Sequence, residues 1–158
     1  MINFTKYNQQ KYRSKKKKAK KILKSFQGKE SSIEKKVREF LQEEGIFAIR
    51  EWRINKKFNK IEYSKVYDFY VSGINEKGRQ FDFLIEVDGG YWHGNDYLEG
   101  KVPYSKLTKI QKKNIKNDKL KNKLAKEMGF PLLRLKEKDV KYNFEEVKKQ
   151  IYDLINFF

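Results

Sequence analysis

The segment Phe81-Asp82-Phe83-Leu84-Ile85-Glu86-Val87-Asp88 carries the strictest pattern in the chain. Successive side chains of a strand point to opposite faces, so Phe81, Phe83, Ile85 and Val87 share one face and Asp82, Leu84, Glu86 and Asp88 share the other. The first face calls for a core. The second ends in two carboxylates, which are costly unless a cation or solvent meets them. Gly89-Gly90 then breaks the strand.

The flanking sequence supplies partners for such a strand. Ser31-Ser32-Ile33-Glu34 is a helix start, apolar residues recur at Ile33, Val37, Phe40 and Leu41, and Gly45 ends the run. Strands are expected at Ile46 to Ile54, Lys65 to Val71 and Gln80 to Val87, with a hairpin loop over Gly73 to Gly78. Ser105 is the expected cap of a long basic helix reaching Met128, with Gly129 as its stop and Leu107, Ile110, Leu120, Leu124 and Met128 as its apolar side. Pro131 to Leu135 reads as a short strand, and Asn143 as the cap of a closing helix with Phe144, Val147, Ile151, Leu154 and Ile155 on its face. The expected fold class is α/β, a central mixed β-sheet flanked by helices in the order αβββαβα, behind a basic N-terminal arm.

Charge sets the partner. The chain of 158 residues carries 38 Lys and Arg against 21 Asp and Glu, a net charge of +17. Residues 1–29 hold eleven basic side chains, Lys15, Lys16, Lys17, Lys18, Lys20 and Lys21 among them, and no acidic one. Such a block repels itself unless a polyanion neutralises it, which makes nucleic acid the leading partner and a solvated tail the alternative. The expected division is an arm at 1–29 and a folded domain at 30–158. Lysine outnumbers arginine 32 to 6, which suits phosphate contacts better than base reading. Twenty-four aromatic residues argue against a wholly disordered chain. With no cysteine, disulfides, thiolate metal sites and cysteine nucleophiles are excluded. No apolar run is long enough to span a membrane and no signal-peptide core follows Met1, so a cytoplasmic protein is expected.

Several side chains are candidates for chemistry. A hairpin pairing brings Asp68, which interrupts Val66-Tyr67-Asp68-Phe69-Tyr70-Val71, near Glu86 and Asp88. All-oxygen ligands at a sheet end suit Mg²⁺ or Mn²⁺; an ordinary charged strand end is the alternative. The one histidine, His93, follows in Gly89-Gly90-Tyr91-Trp92-His93-Gly94 and can accept a proton near neutral pH. Asp118, beside the apolar side of the long helix, is a candidate to hydrogen-bond that imidazole; a surface histidine and a solvated acid among lysines are the alternatives. Glu34 has a plain structural role in the capping box Ser31-x-x-Glu34.

Taken together, the residues Ile85 to His93, then Asn117-Asp118, Leu124, Met128-Gly129-Phe130 and Leu133-Arg134-Leu135, resemble a PD-(D/E)XK-type nuclease. More narrowly they resemble the branch of very-short-patch-repair mismatch endonucleases and EDxHD homing endonucleases. The likeness runs from about Ser31 to Ile151 and leaves the arm uncovered. It implies a restriction-endonuclease-like fold and a metal-dependent endonuclease acting on double-stranded DNA, of homing or repair type; separately, the lysine, asparagine and isoleucine bias suggests an AT-rich genome such as a phage's. It implies that Glu34 holds metal-bound water, that Asp68 and the Val87 backbone carbonyl bind the metal, that His93 activates water and that Asp118 orients it. Tyr91 and Trp92 match aromatics that wedge into DNA, core packing being their alternative. From their charge, the arm and the lysine-rich helix, Lys112 and Lys113 included, are expected to grip the backbone. Tyr67 stands at the proline position and Asp88 at the lysine position, so His93 takes over the activation of water. Glu86 is either a direct ligand or an acid behind the ligands, and Asp88 a further candidate ligand. The alternatives are a DNA-binding protein that keeps the fold without cleaving, and a nuclease selective for junctions.

Overall fold

The computed structural model describes residues 30–58, 61–89 and 95–158. The arm at 1–29 and the segment 90–94, with Tyr91, Trp92 and His93, lie outside the described residues. Residues Ser31–Phe158 form one unit.

Helix α1 (Ser32–Glu43) starts at Ser31, whose hydroxyl accepts the Glu34 N–H at 3.2 Å. It stops in a Schellman motif. Gly45, at φ 66°, donates to the Gln42 carbonyl and Ile46 to that of Leu41. Then come β1 (Phe47–Phe58), β2 (Ile61–Ile74) and β3 (Gln80–Asp88), a short helical turn α2 (Asn95–Leu98), a 3₁₀ turn (Tyr104–Lys106), the long helix α3 (Lys109–Glu127), β4 (Leu132–Lys136), α4 (Glu137–Tyr142) and α5 (Phe144–Phe157). The four strands make one open sheet in the order β1-β2-β3-β4, with two antiparallel pairings and a parallel one between β3 and β4. The expected mixed sheet with flanking helices is present.

Two cores cover its two faces. Val37, Phe40 and Leu41 of α1, Val140 of α4 and Val147, Ile151 and Ile155 of α5 pack on Phe81, Phe83, Ile85 and Val87. Leu124 and Ala125 of α3 pack on Leu84, Tyr67 and Ile54, with Trp52, Tyr70 and Phe130 around them. Strand β3 keeps the alternation its sequence demands. Strands β1 and β2 do not. Tyr67 belongs to the α3 core and Phe69 to the other, although two positions apart on one strand they should share a face. On β1, Ala48 and Trp52 divide the same way. The switch falls at Glu51, opposite Asp68, where the pairing skips from Arg50–Phe69 to Trp52–Tyr67. Glu51 is the one described non-glycine residue with positive φ, at 54°. Such a backbone costs about 1–3 kcal/mol and is held only where its surroundings over-determine it.

The turn between β2 and β3 is built on Asn75. Its Oδ1 accepts the N–H groups of Lys77 and Arg79, and its Nδ2 donates to the Ile155 carbonyl at 3.1 Å. Arg79 adds a bond to the Phe158 carbonyl at 3.0 Å. A loop thus satisfies the carbonyls that the end of α5 leaves open.

Three local expectations need correction. Thr108, not Ser105, caps α3: its hydroxyl accepts the Gln111 N–H while the Gln111 side chain accepts the Thr108 N–H, a complete capping box. Ser105 lies instead in the 3₁₀ turn, which folds Leu107 inward. The buried residues of α3 are Ile115, Leu124 and Ala125, whereas Ile110, Leu120 and Met128 are 55%, 42% and 43% exposed. Asn143 precedes α5 as expected, but its side chain makes no capping bond, because α4 runs almost directly into α5 and fixes the backbone there.

Candidate active site

The face switch leaves Asp68 where β2 and β3 part. Their pairing reaches Phe69–Ile85, and beyond it the Val87 N–H donates to Asp68 Oδ2 at 2.7 Å. A side chain has replaced the neighbouring strand as acceptor. Burial pushes the Asp68 carboxyl up to about 6; the Val87 N–H and Lys121 pull it down, while Glu34 and Asp88 push it further up. The N–H and C=O of a strand residue point to the same side, so the Val87 N–H that meets Asp68 leaves the carbonyl cast as a ligand by the resemblance on that same side of the strand.

Glu86 lies on the same face as Leu84 and points toward α3. It is 2% exposed. Its Oε2 accepts from Lys121 Nζ at 2.6 Å, and its Oε1 is buried with no hydrogen-bond partner. Burial, with Asp68 beside it, pushes the Glu86 carboxyl up to about 7 against the downward pull of Lys121. The Tyr67 hydroxyl donates to the Lys121 carbonyl at 2.8 Å, fixing this turn of α3 over the sheet.

The remaining acids sort around Arg134. Its Nη1 lies 2.7 Å from both oxygens of Asp88, its Nη2 reaches Asp118 Oδ1 at 3.4 Å, and its Nε donates to Asn122 Oδ1 at 2.9 Å. Burial alone would lower the Arg134 pKa, but Asp88 and Asp118 outweigh it and hold it above its ordinary value. Glu34 keeps its capping role in altered form. The Ser31 hydroxyl, rather than a backbone N–H, donates to Glu34 Oε1 at 2.8 Å, and the carboxylate still acts on Asp68.

Glu34, Asp68, Glu86 and Asp88 are therefore gathered into one electrostatic neighbourhood, with Asp118 joined to it through Arg134. Lys112 reaches the Ser105 carbonyl at 3.4 Å and lies beside the Tyr104 ring, and Lys113 is exposed. Two cations of the site have no role in the sequence reading, Lys121 and Arg134. Lys121 lies three residues after Asp118, one helical turn along the same face, and Arg134 lies opposite Glu86 in the parallel pairing.

No protein-family model, curated protein or solved structure matches this chain. The site has to be read from its own chemistry. Among the described residues no three acidic or histidine side chains are grouped to hold a metal ion. Asp68 and Glu86 remain as a pair, with Lys121 on one oxygen of Glu86 and no hydrogen-bond partner on the other. A divalent ion that keeps most of its waters and takes one or two carboxylates fits such a pair.

Proposed function

We propose that the chain is a Mg²⁺-dependent endodeoxyribonuclease on a restriction-endonuclease-like fold. The observation that carries the reading is the buried, unpartnered oxygen of Glu86 beside Asp68, at a point where two strands separate. A buried carboxylate oxygen without a partner costs free energy unless a proton or cation meets it. On so basic a chain, the substrate that brings a cation with it is a nucleic acid.

Asp68 and Glu86 are the residues that would hold the ion. When bound, a divalent ion supplies a Lewis acid for a phosphate oxygen and for the leaving alkoxide. Lys121 offsets part of the Glu86 charge, so the pair presents less than two full negative charges. Glu34 and Asp88 keep the field at Asp68 negative. His93 is the base: water attacks phosphorus, His93 takes its proton, and the P–O bond to the leaving sugar oxygen breaks. Asp118, shared with Arg134, is the carboxylate available to stabilise the imidazolium.

Supercoiled plasmid incubated with Mg²⁺, Mn²⁺ or EDTA tests the reading. Nicked or linear product with metal only, abolished by Asp68→Ala at unchanged DNA affinity, is the expected result. Equal cleavage by Asp68→Ala removes that residue from the chemistry.

A second reading draws on Lys121 and Arg134, which neutralise Glu86 and Asp88 from within. Under it the chain binds DNA and does not cut. Retained binding without product in either metal selects that reading.

A further inference from the structure

The two sides of the sheet differ sharply in charge. Helices α1, α4 and α5, which share one side, carry seven basic and eight acidic side chains. Helix α3, alone on the other, carries eight lysines and two acids. A surface that only needed to stay hydrated would have no reason to divide its charge this way. At about 100° per residue, Lys109, Lys113, Lys116, Lys119 and Lys123 fall within one third of the helix circumference, and all five are exposed. Of the exposed apolar residues of α3, Leu120 is set among these lysines and Ile110 lies beside them, and the two form no continuous stripe, so the face does not suit insertion into a lipid surface.

The same helix turns Lys121 inward to Glu86 and Asp118 toward Arg134. Lys109 to Lys123 spans roughly 21 Å. That is the length of about six phosphates on one strand of a duplex. Lys121 and Asp118 lie about 140–160° around the helix from the centre of this face, so the helix body, roughly 10–12 Å across, stands between a strand held there and the Glu86 carboxylate.

We infer that the exposed lysine face of α3 is the docking surface for the nucleic-acid backbone, on the helix whose inner face covers Glu86. This rests on the reading of the chain as one that acts on DNA. The contacts are to phosphate, so they hold a strand without choosing its sequence.

The test is the salt dependence of binding, measured by fluorescence anisotropy on the full chain with a short duplex in EDTA, where cleavage does not enter. The variant Lys113→Gln, Lys116→Gln, Lys119→Gln, Lys123→Gln should lower the slope of log affinity against log salt by about 3 to 4, at roughly 0.9 for each phosphate neutralised. A control with equal charge loss on the other side, Lys35→Gln, Lys138→Gln, Lys141→Gln, Lys149→Gln, should lower it by less than about 1. Equal slopes in the two variants overturn the inference. So does an α3 variant that loses binding to phosphatidylserine vesicles while keeping its duplex affinity. Plasmid cleavage in Mg²⁺ reports separately: a wild-type chain that binds with the expected slope and never cuts removes the nuclease and leaves the docking surface.

Discussion

Replacing Glu86 with glutamine tests the electrostatics of the site without touching its shape. In the folded chain this carboxyl holds its proton up to about 7, against an ordinary value of 4.5. Between those values the folded state binds more protons than the unfolded chain, so the stability Glu86 contributes is lost as pH rises through that window. Each unit is worth about 1.4 kcal/mol, which makes the loss about 3 kcal/mol for this one group. Glu86→Gln cannot ionise and escapes it. Urea denaturation from pH 4 to pH 8 should therefore show the wild type losing about 3 kcal/mol more than the variant over that range. Divalent cation gives a second reading of the same charge. At pH 8, Mg²⁺ should raise the wild-type midpoint by mass action on the folded state, and should do so much less in Glu86→Gln. Parallel stability curves for the two proteins, with equal responses to Mg²⁺, would falsify both the perturbed carboxyl and its part in holding a cation.

Gly73→Ala should destabilise the fold by about 1–3 kcal/mol, since an added Cβ would lie 2.7 Å from the Phe81 ring; a shift in the urea midpoint with unchanged slope is the measurement. His93→Ala should slow single-turnover cleavage by on the order of a hundredfold and erase the acid limb of the pH–rate profile; a wild-type profile in that variant removes the histidine from the reaction. Deleting residues 1–29 should weaken duplex binding and flatten its salt dependence by roughly 0.9 for each phosphate the arm had neutralised, with single-turnover chemistry at saturating protein unchanged.

Local rules carried the reading of this chain a long way. Period-two alternation in Phe81 to Asp88 needed only the pleat of a strand, and Gly45 and Gly129 mark the helix ends because each takes a positive φ. The capping of α3 is equally local: Thr108, and not the expected Ser105, is followed three residues later by a glutamine that completes the box. The apolar face of α3 was harder to read, because lysines interrupt its periodicity and their alkyl stems blur which side is buried. The face switch at Glu51 and Asp68 could not be read from either strand alone, since it is a property of the pairing. Lys121 and Arg134 stayed invisible as site residues for a similar reason. Only the packing of α3 and the register of β4 bring them to Glu86 and Asp88.

The Asn75 turn has a consequence for the order of events in folding. It joins a hairpin that closes over a handful of residues to a helix end about 80 positions later in the chain. Hairpins form on the order of microseconds, whereas contacts so distant in sequence must wait for most of the chain to be arranged. The turn is therefore a template made early and used late, and the last carbonyls of α5 find their donors only once the sheet exists. Amide exchange in the final turn of α5 should then follow the opening of the β2–β3 hairpin rather than the fraying of the helix itself.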